Sequence, residues 1–116
     1  MSRIAQRKRI VRLFAKYYRL GLDDPRLTVF DACKRIRGTQ RSISDSNDLF
    51  ALWETCRIMN ACGEAEDLRL FCDVYLRRYS GATSVALRKY YDERTLYRRL
   101  LKVERRYEKI RRGLGE

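Results

Sequence analysis

Apolar residues recur at intervals of three, four and seven along most of this chain, the signature of amphipathic helices. In SRIAQRKRIVRLFAKYYRLGL, Ile4, Val11, Phe14 and Tyr18 recur, with Ile10, Leu13 and Tyr17 beside them. That spacing predicts a helix ending near Gly21 and Asp23-Asp24-Pro25. Its other face carries Arg7, Arg9, Arg12, Lys16 and Arg19. This face reads either as a solvated basic surface or as a contact for phosphates or an acidic partner.

In the next segment, DDPRLTVFDACKRIRG, Asp24 is expected to cap and Pro25 to occupy the first helical turn. Leu27, Phe30 and Ile36 would form one short apolar face, and Gly38 would end it. The polar stretch from Gly38 to Asp48 reads as the main loop. Ser46 or Asn47 would then open a helix carrying Leu49, Phe50, Leu52, Trp53, Cys56, Ile58 and Met59. Apolar residues over so much of its circumference place that helix at the centre of a core. Gly63 breaks it. The acidic turn EAED starts another helix, where carboxylates meet the positive end of the helix dipole. Leu68, Phe71, Cys72, Tyr75, Leu76 and Tyr79 continue that helix, Arg77 and Arg78 fall in its last turn, and Ser80-Gly81 closes it.

After Gly81, Thr83 or Ser84 can cap a short helix through Tyr90, with a tight turn near Tyr91. Asp92 then caps a longer helix in which Leu96, Leu100, Val103, Tyr107 and Ile110 share one face. Arg94, Tyr97, Arg98, Leu101, Lys102 and Arg105 make a second, mostly cationic stripe. A short helix, a turn and a longer helix with such a stripe describe a helix-turn-helix unit, whose second helix enters the major groove. The rival reading of the same stretch is a bundle or dimer helix, although its heptad pattern is short for a coiled coil. The fold expected is all-α, a single-domain helical bundle of about five or six helices over residues 1–116. It comprises a basic N-terminal helix (1–22), a helical core (24–80) and a C-terminal helix-turn-helix (82–112).

Composition sharpens this picture. One proline and six glycines supply few of the turns that a β-rich chain needs. The chain carries a formal charge of +12, unevenly placed. Residues 1–22 hold seven bases and no acid, residues 23–80 nine bases and ten acids, and residues 81–116 eleven bases and five acids. Two basic ends flanking a neutral middle favour a polyanionic partner. Four cysteines without a CxxC pair, in a chain with no histidine, read as reduced core thiols rather than zinc ligands. Without histidine, no Ser/His or Cys/His set can be assembled, and no glycine-rich phosphate loop occurs. The chain therefore reads as a non-enzyme without cofactor or metal. A basic N-terminus lacking an apolar stretch behind it reads as no signal peptide, and no apolar run is long enough to span a membrane. The expected location is cytoplasmic, in a bacterial or phage-infected cell.

The string DERTLYRRLLKVERRY resembles the end of the phage transcriptional regulators of the ArpU type and, more broadly, the DNA-binding region four of bacterial sigma factors. Thr95-Leu96, Leu100 and the run from Glu93 to Leu100 carry the likeness, which covers Thr83 to Ile110. Tyr90 and Lys89 depart from the pattern, standing where such units place a small turn residue and an aliphatic one. The resemblance implies sequence-specific binding of duplex DNA in phage or prophage transcription control. Arg94, Tyr97 and Arg98 would lie near the bases. Thr95, Arg99, Lys102, Arg105 and Arg106 would mainly hold phosphates. A dimer and a contact with RNA polymerase are compatible with this reading. Its rivals are a DNA-packaging recognition subunit of the terminase small-subunit type and a small basic adaptor or inhibitor of a protein.

Overall fold

The computed structural model of the chain describes residues 2–77 and 92–115, and in these residues all regular structure is helical. The elements are α1 (Arg3–Arg19), α2 (Val29–Thr39), α3 (Ile43–Ala61), α4 (Ala65–Tyr75) and α5 (Glu93–Gly113). The short helix expected from Thr83 or Ser84 to Tyr90, the turn near Tyr91, and Arg78, Tyr79 and Ser80-Gly81 lie outside the described residues.

Helix α3 is the centre of the bundle and touches each of the other four helices. Leu49, Ala51, Leu52, Trp53, Cys56 and Met59 are all buried, so its apolar circumference is used on several sides at once. One continuous core joins them to Ile10, Phe14 and Tyr17 of α1, Ala32 and Ile36 of α2, Leu70 and Phe71 of α4, and Leu96, Leu100, Val103 and Tyr107 of α5.

Three helix ends are followed by glycine in the left-handed region, Gly21 at φ +67°, Gly63 at φ +76° and Gly115 at φ +78°, and the first two make the same closure. At the first, Leu22 N–H donates to Tyr17 O (3.0 Å) and Gly21 N–H to Tyr18 O (3.1 Å). At the second, Glu64 N–H donates to Met59 O (2.7 Å) and Gly63 N–H to Asn60 O (3.4 Å). These are Schellman closures, which satisfy the last carbonyls and turn the chain sharply. Leu22, just past the first, is driven into the core.

Several elements differ from the sequence expectation. Helix α2 starts at Val29 rather than near Pro25, because Thr28 and Asp31 form a reciprocal capping box. Asp24 instead closes a local turn, accepting from Arg26 N–H at 2.9 Å. Ile36 is buried, but Phe30 is 74% exposed, so the short apolar face is built on Ala32 and Ile36. The stretch read as the main loop is mostly helix. Gly38 lies inside α2, and Ser42 caps α3 by accepting from Asp45 N–H at 3.0 Å. The first turn of α3 stands in solvent, with Ile43 78% exposed, and so offers no apolar periodicity to read. Helix α4 ends at Tyr75, and Leu76 and Arg77 follow it. Helix α1 is rolled about its axis relative to the expectation. Ile10, Leu13, Phe14 and Tyr17 face inward, while Ile4 and Tyr18 are exposed.

An ion pair accompanies that roll. Asp48, a buried carboxylate in the second turn of α3, accepts from Arg9 of α1 and from Arg111 Nε of α5 at 2.6 Å. Arg9, on the face that reads either as a solvated basic surface or as a contact for phosphates or an acidic partner, turns toward the bundle, where the Asp48 carboxylate holds its guanidinium pKa above the ordinary value.

Asp48→Ala would leave two arginines facing a partly buried site without their anion. It should cost about 3 kcal/mol, at the lower end for a broken buried pair because Arg9 retains solvent contact. Leu100→Ala, at a side chain 1% exposed, should cost about 2–5 kcal/mol through lost burial and a cavity. Urea unfolding of both variants at constant pH measures these losses.

Candidate nucleic-acid interface

Helix α5 sorts its residues into four sectors. Asp92 sets its start, its Oδ1 accepting from Thr95 N–H at 2.7 Å. That backbone bond holds the Asp92 carboxyl below its usual pKa. The inward sector is Leu96, Leu100, Val103 and Tyr107, all 1% exposed or less, with Ile110 half-buried at its end. Burial, reinforced by the Asp48 carboxylate, pushes the Tyr107 phenol up to about 12.

A second sector faces α4. Lys102 Nζ stands 3.2 Å from Glu64 Oε2 and 3.3 Å from Asp67 Oδ2. Arg106 pairs with Glu64 at 2.6 Å, and Arg99 with Asp67 at 3.5 Å. Hydrogen bonds to Glu64 and Asp67 raise the Lys102 pKa. The acidic start of α4 therefore does two things: it matches its own helix dipole and neutralises one flank of α5.

A third sector faces α1 and α3. Here Arg111 reaches Asp48, and the buried Glu104 accepts from Arg7 Nε at 3.4 Å. The Arg7 guanidinium also lies over the Tyr75 ring, 4.9 Å from its centroid. Arg7 thus joins Arg9 in leaving the expected outer face of α1. Burial raises the Glu104 pKa, and the positive charge of Arg7 opposes that rise.

The outer sector remains. Arg94, Tyr97, Arg98 and Arg105 are exposed along it, as the sequence stripe expects. Lys109 and Arg112 extend it at the same helical spacing, a continuation that the sequence reading left out. Among the described residues, Arg94, Arg98, Arg105 and Lys109 enter no ion pair, while Arg112 pairs with Glu108 at 2.6 Å. From Arg94 to Arg112 the stripe runs about 27 Å at the rise of an α-helix. Of the eight residues expected to contact DNA, the structure brings Arg94, Tyr97, Arg98 and Arg105 onto one outward face. Thr95 is half-buried in the first turn, and Arg99, Lys102 and Arg106 lie on the flank paired with α4.

Such a face can offer guanidinium forks to phosphate oxygens or to guanine edges. The first turn itself, carrying Asp92 and Glu93, repels a phosphate, so contacts would come from the sides of the stripe. Helix α1 presents a second basic surface through the exposed Lys8, Arg12 and Arg19, in a segment with no acid between residues 1 and 22.

Glu104 predicts a pH signature. Its folded-state pKa is raised, so the folded protein holds this proton more tightly than the unfolded chain does. The contribution to stability is fully present below the ordinary value of 4.5 and is lost as pH rises through the folded-state pKa. Glu104→Gln keeps the neutral form at every pH. The variant should gain on the wild type as pH rises toward neutrality, and the gap should close below pH 4.5, as measured by urea unfolding across that range.

Comparison of the chain with protein-family models, with curated proteins and with solved structures gives no match.

Proposed function

We propose that this protein binds duplex DNA through the outer stripe of α5, in the role of a phage or prophage transcriptional regulator. The observation that carries the reading is the charge sorting on α5. Cations on its flanks are neutralised by Glu64, Asp67 and Asp48, whereas Arg94, Arg98, Arg105 and Lys109 stand on one exposed face outside any ion pair among the described residues, with Asp92 the acid whose charge Arg94 and Arg98 feel. The transcriptional role rests on the resemblance of residues 83–110 to helix-turn-helix regulators.

In this reading Arg94, Tyr97 and Arg98, nearest the N-terminus of α5, are the residues offered to base edges, and Arg105 holds phosphate. Thr95, half-buried, contributes only at the margin of the contact. Arg99, Lys102 and Arg106 reach phosphates only by exchanging their carboxylate partners on α4. Lys109 and Arg112 join the phosphate-holding set because they continue the same face.

Binding should be strongly salt-dependent. With about five phosphates neutralised, log affinity should fall against log salt with a slope of about −4 to −5. Arg98→Ala should leave thermal unfolding nearly unchanged. If Arg98 reads a guanine, specific binding weakens by about 1–3 kcal/mol and preference relaxes at one base position. If it holds phosphate, all duplexes weaken alike. Selection of bound sequences from a random duplex library, followed by salt titration, makes the measurement. A flat salt response, or an Arg98→Ala protein that binds every duplex as tightly as wild type, would refute the reading.

A further inference from the structure

An open groove of about 520 Å³ lies between α1 and α4, lined by Ile4, Arg7, Lys8, Val11 and Arg12 of α1 and by Tyr75 of α4. Its floor is apolar. Val11 and Tyr75 are half-buried, and Ile4 is 63% exposed. Arg7 adds to the floor because its guanidinium is stacked on the Tyr75 ring and tied to Glu104, which fixes it as a flat wall. The rim is cationic. Lys8 and Arg12 are exposed and enter no ion pair among the described residues, and no acid between residues 1 and 22 offsets them.

The spacing identifies what such a surface fits. Ile4, Lys8, Val11 and Arg12 fall at i, i+4, i+7 and i+8, one face of a helix, with apolar positions flanked by cations. A second helix laid along this face would bury Ile4 and Val11 with its own apolar stripe. Carboxylates beside that stripe would meet Lys8 and Arg12. Duplex DNA fits the rim but not the floor, because phosphates would desolvate against isoleucine and valine without compensation.

We infer that the α1–α4 groove is a docking site for an acidic amphipathic helix of a protein partner, received in the helix-in-groove mode. This is a second surface, carried by α1 and α4, and it does not depend on the outer stripe of α5 binding DNA.

The test uses the full chain and a synthetic helix of about three heptads, with leucine at the a and d positions and glutamate at e and g. A peptide of the same composition in scrambled order is the control for charge alone. Amide chemical shifts locate binding, and fluorescence anisotropy measures affinity. The amphipathic peptide should shift amides of residues 4–12 and of Tyr75, and the scrambled peptide should bind markedly more weakly. Ile4→Ser, at an exposed position where folding is not at stake, should weaken the peptide about tenfold through loss of an apolar anchor while leaving duplex affinity unchanged. Lys8→Glu should weaken the peptide by a similar factor. Four outcomes would each overturn the inference: equal binding of both peptides, Ile4→Ser binding as wild type, peptide shifts confined to α5, or displacement of the peptide by duplex DNA. Concentration-dependent broadening at Ile4 and Val11 without peptide would also overturn it, by showing a second copy of the chain in the groove.

Discussion

An ionised carboxylate is costly to take out of water unless cations come with it, and Asp48 is a buried carboxylate that has two of them, in the wall of the central helix. Arg9 arrives from α1 and Arg111 from α5, so one side chain of α3 ties the two basic ends of the chain together. The desolvation cost offsets much of the Coulombic gain, so the main consequence is register rather than net stability. Only one roll of α1 brings Arg9 to Asp48 while Ile10, Leu13, Phe14 and Tyr17 pack inward. Only one roll of α5 brings Arg111 to the same group while Leu96, Leu100, Val103 and Tyr107 are buried.

The other buried acids repeat this arrangement. Glu104 of α5 receives Arg7 of α1, and Asp67 of α4 receives Arg99 and Lys102 of α5. Each pair joins different helices, and each removes a cation from the solvent-facing charge. Among the described residues, cations outside any ion pair are left on the outer stripe of α5 and on the exposed side of α1, as well as at Lys34, Arg35, Arg37 and Arg41 in and beyond α2. The first is a row of cations, mostly guanidinium forks, with the exposed Tyr97 ring among them. The second alternates cations with isoleucine and valine. Polyanions and amphipathic helices differ in that same respect, which is why the two surfaces suggest different partners.

Much of this was legible in the residues. Periodicity marks α1, the body of α3, and the apolar faces of α4 and α5. Gly21 and Gly63 announce their turns, and Asp92 its cap. The stretch from Gly38 to Asp48 was not legible, because a helical turn that faces water has no apolar period, and the Ser42 cap is hard to separate from loop chemistry. Thr28 and Asp31 form a capping box that competes with the more conspicuous Asp24-Pro25, and the box prevails because it satisfies two backbone donors. On α5 the outer stripe was readable, but its division from the flank was not. Arg98 and Arg99 are chemically identical neighbours, and only the position of α4 separates an exposed cation from one paired with Asp67.

By itself, the sequence determined that the chain is helical, that α3 is its most enclosed helix, that both ends are strongly basic, and which residues form the inward and outward stripes of α5. These properties follow from local spacing and side-chain chemistry, which do not depend on what lies opposite. Tertiary structure alone decided the roll of α1, the burial of Asp48, Asp67 and Glu104, and which cations those carboxylates neutralise. Charge pairing between helices depends on distances of a few ångströms between residues remote in the chain, and no local pattern encodes them.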